Sequence, residues 1–311
     1  MTPAQNVAEK LNGIWGILDP TGNHPPRHGL HAVNATMNQT KTKLTMTHST
    51  PTKNMTNAEY HQSPGISKSG LDLINRSPAH YRWAQDNPSD PTPAMRIGTL
   101  THLATLEPDR FDSECVIMPT LDRRTKDGKL RWEEFQANHP DQELLTSDEH
   151  TRIISIRDAV MAHPIARKLL DQIEGVEVSM FWTDPATGVE CRCRPDAVLS
   201  NGMLIDLKTT TDAGPGFMRS VAKYRYHVQA AFYGDGMGGM EERPMVFIAV
   251  ESSAPHLVAC HMISPDSLLA GREAYKRNLE TYLECTKSGE WTGYPTTINQ
   301  IELPHWEIEI E

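Results

Sequence analysis

Apolar and polar residues alternate from Val189 to Asp196 and again from Ile205 to Lys208, on either side of Ser200-Asn201-Gly202, and this interrupted pattern constrains the chain more than any other feature. A two-residue period marks strands, and a short loop with glycine at its left-handed position joins antiparallel ones. If Ser200, Asn201 and Gly202 form that loop, Leu199 faces Met203, and counting inward sets Asp196 opposite Asp206. Facing residues carry Cβ atoms about 5 Å apart, and like charges there destabilise a sheet. A hard divalent cation, Mg2+ or Mn2+, takes such oxygen ligands and relieves the repulsion. Lys208 lies two residues beyond Asp206, so alternation puts it on the same face. Two carboxylates, a metal and a lysine on one face suit phosphodiester hydrolysis, with the metal polarising the phosphate and acidifying a water that the lysine positions. Asp-x-Lys alone is an ordinary surface ion pair; the register with Asp196 gives it weight.

Other residues fit the same site. His102 follows Gly98 by one helical turn, so the glycine admits a close backbone approach while the imidazole projects from the same face. Gln229 and Tyr233 are likewise four apart and present an amide and a phenol suited to phosphate or base contacts. Glu177, on the strand before the hairpin, offers a further carboxylate. Arg192 and Arg194 share a face with Asp196 by alternation, where they either pair with the carboxylates or meet phosphate, and Cys191 and Cys193 then point to a buried face. Arg123, Arg124, Lys126, Lys129 and Arg131 form the densest basic cluster, beside Trp132; as a mobile loop it would grip phosphates while the indole stacks on a base.

The punctuation of the chain predicts an α/β (α+β) domain with an antiparallel meander at its centre. Helices are expected over 67–74, 77–83, 94–106, 217–233 and 264–287, strands over 176–182, 189–199, 203–210, 245–251 and 257–263. Residues 1–59, rich in Met, Asn, Thr, His and Pro, are too poor in large apolar side chains to bury a core, and read as a disordered leader before a folded domain over 60–311. Five cysteines without a CxxC pair and no charged-then-apolar signal indicate a reduced, cytoplasmic protein. The longest apolar runs are strand-length, which leaves no membrane span. The formal net charge of −10 argues against a uniformly basic nucleic-acid surface, but a whole-chain sum averages over faces.

In order, Gly98-x-x-x-His102, Glu177, Arg194-Pro195-Asp196, Asp206-Leu207-Lys208-Thr209-Thr210 and Gln229-x-x-x-Tyr233 resemble the PD-(D/E)XK nuclease superfamily of the RecB type, with Asp in place of the commoner Glu before x-Lys. More narrowly, Tyr60-His61, the run from Pro64 to Leu71, Ser77-Pro78-Ala79-His80-Tyr81 and the run from His227 to Tyr233 resemble the RecE-type phage recombination exonucleases. The likeness spans Tyr60 to Trp291. It implies a Mg2+-dependent exonuclease, with Mn2+ substituting, that degrades one strand of linear duplex DNA from the 5′ end in a bacterial or phage-infected cell. His102, Asp196, Asp206 and the Leu207 carbonyl would then ligate metal, Lys208 would act on the attacking water, and Gln229 and Tyr233 would support the site or the DNA. The resemblance also implies a ring of copies, such as a tetramer, and a RecT-type single-strand annealing partner. Two other readings of these residues are a RecB-like endonuclease or helicase-associated nuclease, and a non-catalytic DNA-binding or assembly protein.

Overall fold

A computed structural model describes residues 47–48, 51–53, 55–239 and 243–302. Its N-terminal part runs β1 (Thr47–His48), α1 (Asn57–Gln62), α2 (Lys68–Arg76), α3 (Pro78–Asp86), α4 (Pro93–Leu106), α5 (Pro108–Glu114), β2 (Cys115–Ile117), α6 (Lys126–Asn138), β3 (Glu143–Leu145), α7 (Ser147–Ala162) and α8 (Pro164–Leu170). Then follow β4 (Ile173–Val176), β5 (Met180–Thr183), β6 (Glu190–Cys193), β7 (Ala197–Leu199), β8 (Leu204–Thr210), α9 (Phe217–Lys223), α10 (Tyr226–Gly236), β9 (Met245–Glu251), β10 (Val258–Met262) and α11 (Pro265–Ser288). Helix starts follow local chemistry: Ser67, Ser77, Thr92 and Ser264 each accept a backbone N–H through the side chain, and Thr146 with Glu149 forms a reciprocal capping box.

The central sheet has the order β10-β9-β8-β7-β4, parallel only between β8 and β9. Helices cover both faces. Ile205, Leu207, Val246, Ile248 and Val250 pack on Ile156, Val160, Ala166 and Leu169 of α7 and α8. Leu204, Met245, Phe247 and Ala249, on the opposite face, join Val228, Ala231 and Phe232 of α10 and Leu268, Tyr275 and Leu279 of α11. Burial on both faces explains the unbroken apolar run of β9. A three-stranded sheet, β1-β5-β6, and a parallel pair, β2 with β3, complete the fold.

The hairpin turn forms as its sequence predicts. Gly202 has φ +85°, and Leu199 N–H donates to the Met203 carbonyl at 2.9 Å. Ala197 pairs with Ile205 and Val198 with Leu204, the register that sets Asp196 against Asp206. The flanking strands differ from expectation. The stretch 176–182 breaks at Glu177, φ +50°, and 189–199 breaks at Arg194-Pro195-Asp196, so each yields two strands in two different sheets. Proline has no N–H to give a ladder, and the chain changes sheets there. The helix expected over 217–233 is two, α9 and α10, separated at Arg225 with φ +55°. The basic stretch near Trp132 is not a loop: Thr125 caps α6, which carries most of it.

Most of the expected leader lies outside the described residues, but its last part is not a free tail. β1 pairs antiparallel with β5, Thr52 bridges Ser179, and the Met55 and Thr56 carbonyls accept from Arg194. Backbone pairing, which needs no apolar side chain, orders the segment, so composition alone misplaces the boundary at 60.

Candidate active site

The site forms where β7 runs out. Beyond the Ala197–Ile205 pair, the Asp196 carboxylate continues the ladder, its Oδ2 accepting from Leu207 N–H at 2.7 Å. An extended residue aims its N–H and C=O to the same side, so the Leu207 carbonyl looks past the end of β7 toward the same place. Asp206, 1% exposed, faces α10, where Gln229 Nε2 donates to its Oδ1. Its Oδ2 pairs with Lys208 Nζ at 2.5 Å and, buried, has no other partner. From α4, the His102 ring closes the group: Nδ1 meets the Gly98 carbonyl at 2.7 Å and Nε2 meets Asp196 Oδ2 at 2.9 Å. The Lys208 ammonium also sits over the Tyr226 ring, 4.9 Å from its centroid.

Electrostatics divide the two aspartates. Burial raises the Asp196 carboxyl, but the His102 and Lys208 charges outweigh it and hold the group below the ordinary range. Burial and the neighbouring Asp196 push Asp206 up. Burial alone would lower His102, yet the Asp196 carboxylate raises it to about 9. Lys208 follows the same pattern, raised by Asp206 and Asp196 against burial. Glu177 lies at the edge, its N–H donating to the Asp196 carbonyl at 3.0 Å, its carboxyl pushed up to about 7 by burial and by Asp196.

His102, Glu177, Asp196 and Lys208 line a cavity of about 940 Å3, shared with Met55, Asn57 and His61 on one wall and Leu103, Leu106 and Arg110 on another. Tyr233 stands behind them, its phenol driven well above the ordinary value by burial, with Tyr60, Cys193 and both aspartates as further causes. Arg194 also lines the cavity. It is 8% exposed, and its guanidinium donates to Ser179 Oγ and the Met55 carbonyl, lies 3.6 Å from Glu177 and covers the Tyr60 ring. Cys191 and Cys193 are buried as expected. Arg123, Arg124, Lys126, Lys129 and Trp132 do not line the cavity: Arg124 pairs with Asp122, and Arg123 covers the Trp132 ring at 4.5 Å.

Among the described residues, no group of three or more His, Cys, Asp and Glu is already drawn together as a metal cage. The donor set nonetheless fits a hard divalent ion: two carboxylates, one with a buried oxygen that only Lys208 meets, a main-chain carbonyl and an imidazole. Tyr226, the floor under Lys208, and the wall from Met55 to His61 escape sequence reasoning, because a helix break and a docked segment place them there.

A mixed sheet flanked by helices, bearing paired aspartates and a lysine where its strands diverge, is the arrangement of a PD-(D/E)XK nuclease domain. The chain belongs to the family described as the PDDEXK-like domain of unknown function (DUF3799), whose model matches residues 67–304. In fold it is similar to the crystal structure of a candidate exonuclease from Eubacterium rectale, at 12% identity and a TM-score of 0.55, with 82% of this chain and 98% of that one covered. No curated protein matches. Among the described residues, no helix is long and apolar enough to cross a membrane.

Proposed function

We propose that the protein is a divalent-metal-dependent exodeoxyribonuclease that degrades linear duplex DNA from its ends, 5′ to 3′, leaving 3′ single-stranded tails for recombination by strand annealing. The observation that carries the hydrolytic part is the pair Asp196 and Asp206 with Lys208, of which Asp196 and Lys208 line a cavity of about 940 Å3 and Asp206 is buried against Lys208. Action at ends is supported by the E. rectale likeness, and polarity by the RecE-type motifs. A ring of copies and a RecT-type annealing partner rest on those motifs too.

Asp196, Asp206, His102 and the Leu207 carbonyl would hold Mg2+ or Mn2+, and the bound ion would supply charge at the phosphate and an acidified water. Gln229 fixes the Asp206 carboxylate by one oxygen and leaves the other for the ion. Lys208, held between Asp206 and the Tyr226 ring, keeps its ammonium at the reacting phosphate, where it orients the water and offsets developing negative charge. Glu177, with a carboxyl near neutrality, is suited to accept or return a proton at the cavity edge.

Linear duplexes labelled at one 5′ end or one 3′ end, with a closed circular duplex beside them, test this reading. In Mg2+ the 5′ label is released first and the circle stays intact; EDTA or Asp206→Ala stops the reaction while thermal unfolding remains cooperative. Cutting of the circle would point instead to an endonuclease. An unimpaired Asp206→Ala would remove the site.

A further inference from the structure

Beside the cavity, and away from the basic cluster on α6, lies the junction of α9 and α10. Between Asp212 and Asp235 this acidic chain has no acidic residue, while it carries Arg219, Lys223 and Arg225. The junction adjoins the site directly, since the Lys208 ammonium lies over the Tyr226 ring. Tyr226 in turn stacks on Tyr224, with ring centroids 5.7 Å apart and planes 26° apart, and Tyr224 is 48% exposed.

This ladder exists only because the helix is broken. Residues two apart on a continuous helix point to different sides and cannot stack. Arg225, in the left-handed conformation, turns the chain so that its two neighbours meet face to face. The break is pinned from behind. The Arg225 guanidinium donates to Asp72 at 2.8 Å and Asn278 at 2.7 Å, and Lys68 Nζ donates to the Tyr224 carbonyl at 2.5 Å. A left-handed non-glycine residue held by two other helices is a fixed device. Outward from the ladder, Lys223 lies 5.1 Å from the Tyr224 ring centroid, Arg219 is exposed, and Met218 is 74% exposed.

We infer that Tyr224, backed by Tyr226 and flanked by Arg219 and Lys223, is a stacking platform for a nucleobase of the strand whose phosphate enters the cavity. The inference rests on the nuclease reading and adds to it a site for the unpaired base. An incoming base takes the Tyr224 ring in place of the exposed Lys223 side chain now lying over it, and Lys223 and Arg219 then meet the phosphates either side. Charge and continuity with the cavity favour single-stranded nucleic acid over a protein partner on this surface.

The test measures binding of a fluorescein-labelled oligothymidylate to the full chain by anisotropy, with Ca2+ in place of Mg2+. Tyr224→Ala weakens binding by about 5- to 150-fold, the effect of one lost stacked base, and Tyr224→Phe restores it. Arg219→Ala and Lys223→Ala each lower the slope of log affinity against log salt by about 0.7, whereas Tyr224→Ala leaves the slope unchanged. An oligonucleotide with abasic residues binds wild type as weakly as Tyr224→Ala binds the intact one. Thermal melting confirms that the variants fold. If wild type binds and digests DNA while Tyr224→Ala does so equally well, or if Tyr224→Phe is as weak as Tyr224→Ala, the platform is overturned and the nuclease reading stands. If wild type binds no oligonucleotide and digests no DNA, both fall.

Discussion

Gln229 carries the hydrogen bond on which the geometry of Asp206 depends. It is 6% exposed, and its amide gives Asp206 Oδ1 its partner in a site that otherwise offers that carboxylate only the Lys208 charge. Gln229→Ala leaves a buried carboxylate oxygen without a donor, at a cost of about 1 to 3 kcal/mol, measured by urea unfolding of the metal-free protein. The same variant needs about 10- to 100-fold more Mg2+ for half-maximal nuclease activity, as outer partners of metal ligands commonly do. Unchanged metal dependence would make Gln229 a packing residue. At this scale much was legible. The turn type fixed the 196–206 register, and helical spacing put His102 and Gln229 on usable faces. The partners of Arg194 were not legible, because Ser179 Oγ and the Met55 carbonyl come to it from distant segments.

Elements meet most tightly where α10 crosses α11. A Cβ on Gly271 would overlap the His227 carbonyl, so glycine sets the closeness of the crossing that holds Gln229 against the sheet. Gly271→Ala is expected to cost about 1 to 3 kcal/mol by overpacking. Gly98 is a contrasting case. Spacing suggests a close approach there, but a Cβ would meet only Thr209 Oγ1, at an ordinary 3.5 Å. Gly98→Ala, in the interior of α4, should therefore raise stability by about 0.5 to 1 kcal/mol, read from the same urea curves. Swapped signs would mean that helix crossings in this fold adjust more freely than the contacts imply. The two long strands and the long helix of the sequence reading each proved to be two elements. Glu177 and Arg225 are non-glycine residues at positive φ, a state that local sequence does not announce and that tertiary partners impose.

Over the whole molecule, the segment around Thr47 to Gln62 lies before the family match yet forms part of the cavity wall. Arg194 latches it, through the Met55 carbonyl at 2.6 Å and the Tyr60 ring. Arg194→Leu should speed tryptic cleavage after Lys53 several-fold while thermal unfolding of the body stays cooperative; equal cleavage rates would show that strand pairing alone holds the segment. Part of the net charge of −10 lies at the cavity itself, whose lining includes Glu107, Glu114, Glu177 and Asp196, while the stretch from 213 to 234 carries no acidic residue. β8 is third of five strands, and Asp206 lies on it just past the end of its pairing with β7, still paired with Phe247 of β9. Edge strands and chain ends open many times before a domain unfolds, but a central strand opens only with it. The carboxylate at the heart of the site therefore cannot be shed by fraying, and a molecule that has lost it has lost its fold.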